Sequence, residues 1–297
     1  MGRMNVRGKV VLITGAARGI GAGLARRMAS RGAKVALVGL EPDELKKVAA
    51  DCGDNAGYWV ADVTKWDDLE LAVAGVVERF GGIDVVVANA GIAANGFVRS
   101  IDRSAFERVI EVDLLGVWRT VRVCLPHLVE RRGYALLMSS LAALVHIPGN
   151  AAYSAAKAGV EAFANSLRAE VRHLGVDVGV AHPSWISTDM VNSVDEHPVF
   201  GALRTSAPGL ASRTYPVSLA IDLLDTGISR RARAVHVPTW VGALKLVRSL
   251  IPRVVELAAR QFMPSADKAA IEDINRRGER EASLVGPGGR ADLEARG

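Results

Sequence analysis

Seven short apolar runs limit the fold more than any other feature of the chain. KVVLIT (9–14), KVALVG (34–39), AGYWVA (56–61), IDVVVA (83–88), YALLMS (134–139), VDVGVA (176–181) and RAVHVP (233–238) are separated mostly by stretches of helical length. Strands that read as continuous apolar runs are buried on both faces, and strands joined through helices run parallel. Right-handed crossovers then predict a doubly wound α/β sheet of seven strands. The punctuation agrees, since EPDEL (41–45) puts a proline and acids into the first turn of a helix. SAFERVIEVDLLGVWRTVRVCLPHLVERRG (104–133) predicts one long helix that stops at Arg131, Arg132 and Gly133.

A chain of 297 residues fits one large α/β domain with an extension. Hydrophobic residues at 49% and charged residues at 23% supply a core and exclude a disordered protein. Cys52 and Cys124 have no partners at disulfide-framework or zinc spacing, and six scattered histidines form no metal motif. No metal centre is expected, and a reducing, cytoplasmic setting is. The start lacks the long apolar stretch of a signal peptide, and Val6 breaks the myristoylation pattern after Gly2. The net charge is +5, and nine Lys+Arg face three Asp+Glu between Gly201 and Phe262. That surplus comes without aromatic-basic interleaving or a helix-turn-helix, so nucleic acid is not an expected partner.

Three segments are expected. Residues 1–239 form the α/β domain, within which 190–216 breaks at Pro198, Pro208 and Pro216 into a lid carrying Val191, Val194, Val199, Phe200 and Leu203. Residues 240–264 are an amphipathic extension, too broken by Lys245, Arg248, Pro252 and Arg253 to span a membrane. It is compatible with a peripheral place on a membrane surface, with packing on the core, or with a partner subunit. Residues 265–297 mix charges with GPGG and are expected to be a mobile tail.

TGAARGIG (14–21) follows the first run and opens a helix. Glycines there let the backbone approach a pyrophosphate, which the free N–H groups of a helix start attract. Gly15, Gly19 and Gly21 are spaced G-x-x-x-G-x-G rather than G-x-G-x-x-G. Together with ANAG (88–91) and YSAAK (153–157), this loop resembles the short-chain dehydrogenase/reductase family, in order and separation, over about residues 6 to 240.

The resemblance implies a Rossmann-like fold, an NAD(P)-dependent oxidoreductase for alcohols and carbonyls, and a homodimer or homotetramer. Gly15, Arg18, Gly19, Ile20 and Gly21 would hold the cofactor. Asp62 would meet the adenine with Val63 beside it, though Asp62 also reads as a helix cap. Asn89, Ala90 and Gly91 would line the site. Pro183, Ile186 and Thr188 would face the nicotinamide, with Ser184 departing from the family's glycine. Gly39 stands where NAD-dependent relatives carry Asp, and Leu40 where NADP-dependent relatives carry Arg. Arg18, opposed by Glu41, leaves a lean towards NADP(H).

Tyr153 and Lys157 are four apart and share a helix face. A phenol ionising near pH 10 needs a nearby ammonium to act as a base at neutral pH. The resemblance adds Ser140, thirteen residues before the tyrosine, to bind the substrate oxygen; strand alternation turns its neighbour Ser139 away. Asp113 replaces the family's Asn, which supports a kink and a water leading to the lysine, so Asp113→Asn is expected to retain activity. His146 and His182 lie near these segments and read as structural. The expected substrate is a hydrophobic small molecule. The alternatives are a non-catalytic dinucleotide sensor or scaffold, against which the Ser-Tyr-Lys set argues, and a membrane-surface protein acting on lipid.

Overall fold

The computed structural model describes residues 4–205 and 209–294, so Gly2, Pro208 and the last three residues of the expected tail lie outside the described residues. The chain runs β1 (Val10–Thr14), α1 (Gly19–Ser30), β2 (Lys34–Gly39), α2 (Pro42–Cys52), β3 (Ala56–Val60), α3 (Trp66–Phe80), β4 (Val85–Ala88) and β5 (Ala93–Ala94). It continues through α4 (Arg103–Ile110), a π-helical turn (Glu111–Leu115), α5 (Gly116–Arg131), β6 (Tyr134–Met138), α6 (Ala151–Val171), β7 (Asp177–Pro183), α7 (Asp189–Asp195) and α8 (Phe200–Thr205). It closes with α9 (Val217–Ser229), β8 (Ala234–Val237), α10 (Leu244–Val247), α11 (Ile251–Arg277), α12 (Glu279–Ser283), β9 (Leu284–Val285) and α13 (Gly286–Glu294).

The seven apolar runs are the seven strands of one parallel sheet, ordered β3-β2-β1-β4-β6-β7-β8. Each strand feeds both layers, because neighbouring side chains point to opposite faces. Val11 and Ile13 pack beneath α1, α2 and α9, against Leu24, Met28, Leu45 and Leu224. Val10 and Leu12 pack beneath α3, α5 and α6, against Val76, Leu128, Val160 and Leu167. The strand order reverses between β1 and β4. In such sheets the crevice beyond the carboxyl ends of those two strands is where ligands bind.

Three expectations change. The long helix over 104–133 divides into α4, the π turn and α5. The extra residue in that turn belongs to EVDLL, where the Asp113 carboxylate points inward and accepts the Ile92 N–H at 2.8 Å. The broken stretch 190–216 contains two short helices, α7 and α8. In place of a mobile tail from residue 265, α11 continues unbroken to Arg277, and β9 then pairs antiparallel with β5. An apolar stripe explains the ordering of α11, since Phe262, Met263, Ala266 and Ala270 cover Phe97, Val199 and Phe200.

Candidate active site

The cleft at the β1/β4 crevice encloses about 240 Å³. Its floor is the glycine loop, and three local features shape it for close approach. Gly15 sits at φ +63°, where a Cβ would stand 2.7 Å from Ala90 Cα. Gly19 is also left-handed, at φ +55°. Helix α1 has no side-chain cap at its N-terminus, which leaves its first N–H groups for an anion. Gly21 does not line the cleft; a Cβ there would lie 2.3 Å from Gly15 O, so its smallness lets the loop fold back on the helix.

Asn89 acts on this loop from β4. Its Nδ2 donates to Thr14 O at 2.9 Å and Gly15 O at 3.2 Å, while Thr14 Oγ1 accepts the Asn89 and Ala90 N–H groups at 3.0 and 3.1 Å. The other expected cofactor residues, from Arg18 and Ile20 through Asp62, Val63, Ala90 and Gly91 to Pro183, Ile186 and Thr188, line the same cleft. A donor-rich helix start beside two left-handed glycines fits a dinucleotide diphosphate.

Ser140, Tyr153, Lys157 and Asp113 meet at the inner end. Lys157 Nζ lies 5.3 Å from the Tyr153 ring centre and 2.9 Å from Asp113 Oδ2, and it donates to Met138 O at 3.2 Å. Lys157 is 3% exposed and Asp113 is fully buried. Gly91 covers the pair, since a Cβ there would come within 3.0 Å of Asp113 Oδ2. Ser139 donates to Lys157 O at 2.8 Å, tying the end of β6 to α6, while the Ser140 hydroxyl donates to Pro183 O at 3.5 Å and accepts the Ala142 N–H at 3.1 Å.

Burial sets the protonation balance. It pushes the Tyr153 phenol above its ordinary value; Lys157 pulls it back, Asp113 adds to the rise, and Ser140 lowers it. Burial alone would lower the Lys157 ammonium, but Asp113 and Tyr153 together outweigh that and leave its pKa raised. Burial likewise raises the Asp113 carboxyl, against the pull of Lys157 and the Ile92 N–H. The site therefore holds a neutral phenol beside a firmly charged lysine, an arrangement able to give or take a proton at an oxygen.

At the opposite end Arg18 is already engaged. Its Nε donates to Glu41 Oε2 at 3.1 Å, a second nitrogen pairs with Glu41 Oε1, and Nη1 reaches Asp189 Oδ2 at 3.4 Å. The Glu41 hydrogen bond is the main cause of the raised Arg18 pKa. Asp62 is opposed by burial, yet the Thr64 N–H and hydroxyl and Arg108 hold its pKa below the usual range.

Of the apolar lid residues only Val191 lines the cleft. Val194 packs on Ala93 and Val285, whereas Val199, Phe200 and Leu203 turn to Phe97 and α11. His182 is fully buried and stacks on His236, and His146 bonds Ala143 O at 3.3 Å; neither lines the cleft. Ser184 does line it, with its hydroxyl unpartnered among the described residues. Val285, Gly286 and Asp292 also form part of the wall. Their sequence context, GPGG among charges, carries no pattern that would have assigned them.

Comparison with known proteins agrees with this architecture. The profile of the family described as short chain dehydrogenase matches residues 9–198. The 3-oxoacyl-(acyl-carrier-protein) reductase of Vibrio cholerae is 32% identical over 222 residues, 74% of this chain and 91% of that protein. The trans-4-hydroxycyclohexanecarboxylate dehydrogenase of Sinomonas cyclohexanicum is 37% identical over 191 residues, 61% of this chain and 74% of that one. The crystal structure of 3-ketoacyl-(acyl-carrier-protein) reductase from Brucella melitensis complexed with NADH superposes with a TM-score of 0.71 at 29% identity, covering 78% of this chain and 97% of that one.

Proposed function

The chain belongs to the short-chain dehydrogenase family, and from that premise we propose that it interconverts a secondary alcohol and a ketone or aldehyde through Ser140, Tyr153 and Lys157. The convergence of those three side chains in one cleft with the glycine loop carries the reading. When bound, the nicotinamide supplies or accepts the hydride. Tyr153 gives a proton to the substrate oxygen in reduction and takes one in oxidation. Lys157 favours the phenolate that remains, and Ser140 donates to the same oxygen. Asp113 holds the Lys157 ammonium in position and keeps it charged.

Residues 1–239 are read as the oxidoreductase domain, with 190–216 as its lid and 240–264 as an extension. A hydrophobic small-molecule substrate is supported by Met190, Val191 and Val285 at the inner mouth of the cleft. The cofactor preference is read as NADP(H) over NAD(H) through Arg18, and the pairing with Glu41 keeps that preference small. The assembly is read as a homodimer or homotetramer, which light scattering of the intact chain measures. A panel of apolar ketones and alcohols, followed by nicotinamide absorbance with both cofactors, tests the function; no turnover on any member, or at least a tenfold preference for NAD(H), contradicts it in the respective part.

A second reading rests on one surface. Leu246, Leu250, Val254 and Leu257 are exposed, and Arg253 and Arg260 are exposed on the same stretch of chain. Among the described residues no helix is long and apolar enough to cross a bilayer. An apolar face with flanking cations suits the surface of an anionic membrane and a lipid substrate. Co-sedimentation with anionic vesicles tests this, and equal behaviour of wild type and Leu250→Glu/Val254→Glu removes it.

A further inference from the structure

The cleft has a wall that the family's motifs do not account for. It comes from the C-terminal segment after α11, and it is joined to the site at both ends. At the inner end, β9 pairs Val285 with Ala93 and Leu284 with Ala94, and Ser283 O accepts the Asn95 N–H at 3.1 Å. That pairing places Val285 in one apolar cluster with Ala93 and Val194, against which Tyr153 and Met190 pack. At the outer end, Arg108 Nε donates to both Asp292 carboxylate oxygens at 2.9 Å. The same guanidinium donates to Asp62 Oδ2 at 3.1 Å and Thr64 Oγ1 at 2.9 Å. All three charged side chains are nearly buried. Between the two ends, Gly288, Gly289 and Ala291 line the same cleft.

We propose that residues 285–292 are part of the dinucleotide and substrate site, forming its outer wall, and that the Arg108–Asp292 pair is the latch which opens to admit and release the cofactor. The inference rests on the nicotinamide-dependent reading above. Arg108 bridges Asp292 to Asp62, so the latch is fastened to the residue expected to meet the adenine. A bidentate, charge-assisted bond in a nearly buried setting is the strong kind, and releasing it is a real step in cofactor exchange. Small residues suit the middle of such a wall. At Gly286 (φ +72°) a Cβ would stand 3.3 Å from Met190 Cα, so the backbone itself lies against α7. Val285 gives the segment a second part to play, because a change in its side chain alters the space beside Tyr153.

The experiment measures NADPH and NADH association and dissociation by stopped-flow nicotinamide fluorescence on the full chain. Asp292→Asn keeps the shape of the side chain and removes one charge. Both rate constants are expected to rise by about tenfold or more, the effect of losing a charged hydrogen bond. A chain ending at Ser283 is expected to exchange at least as fast. Asp267→Asn removes another C-terminal ion pair, to Arg99 on the surface, and is expected to leave exchange unchanged. Val285→Ala is expected to change substrate KM. Exchange in both Asp292→Asn and the shortened chain that stays within twofold of wild type, or slows, overturns the wall and its latch while leaving the oxidoreductase reading intact. A wild-type chain that binds neither dinucleotide overturns both.

Discussion

Replacing Asp113 with Asn preserves the outline of the side chain and removes its charge. The structure gives that carboxylate two partners at once, the Ile92 N–H donating to Oδ1 and the Lys157 ammonium paired in charge with Oδ2 at 2.9 Å. An asparagine has one carbonyl oxygen, so one donor must face the amide nitrogen instead. The more costly outcome is an ammonium that is 3% exposed with its counter-charge gone. Breaking a buried pair from one side costs about 3–5 kcal/mol. With an unfolding entropy of roughly 2.1 cal/mol/K per residue, a chain of this size loses about 5–8 °C in Tm. The sign with pH follows from Lys157. Its folded pKa is raised, so the stability it contributes is complete below the unfolded value near 10.4 and is lost as pH rises through the folded value. The gap between wild type and Asp113→Asn is therefore widest at neutral pH and narrows above about pH 10. Thermal melts by circular dichroism at pH 7 and at about pH 11, above the unfolded lysine value, read both quantities. A Tm within 1 °C of wild type at pH 7, or a gap that does not narrow with pH, refutes the pairing argument. Where the variant is folded, kcat is expected to stay within about 100-fold, roughly 2.7 kcal/mol, as the sequence suggested.

Glu41→Gln frees Arg18 and is expected to raise the NADP(H)/NAD(H) ratio of kcat/KM by about two- to fivefold, the size of a part-exposed ion pair; an unchanged or lower ratio refutes the role of Glu41. Gly15→Ala forces a left-handed alanine, costing about 1–2 kcal/mol before its clash with Ala90, and is expected to lower the urea midpoint and weaken cofactor binding together. A variant that keeps both argues against close approach at this glycine.

All seven strands were legible because a sheet buried on both faces writes itself as unbroken apolar runs. The glycine loop and the Tyr153/Lys157 spacing were legible because they depend on local geometry. The π turn was not. EVDLLG carries an ordinary helical pattern, and the inward turn of Asp113 depends on Ile92 and Lys157, which are distant in sequence. The C-terminal wall was hidden for a similar reason. Asp292 and Arg108 are 184 residues apart, and each looks like one more surface charge. The apolar residues of 190–216 were identified, but three of them pack on α11 rather than facing the cleft, because the partner stripe on that helix runs from the segment read as extension into the one read as tail.

The central claim is that Tyr153 moves the proton. It is tested most directly by Tyr153→Phe, assayed for turnover by nicotinamide absorbance on the best substrate of the panel, with cofactor binding measured on the same sample. The account predicts that cofactor still binds while kcat falls by about 10²–10⁴, the range for loss of a general acid/base. Turnover within a few-fold of wild type in a cofactor-binding Tyr153→Phe would contradict it.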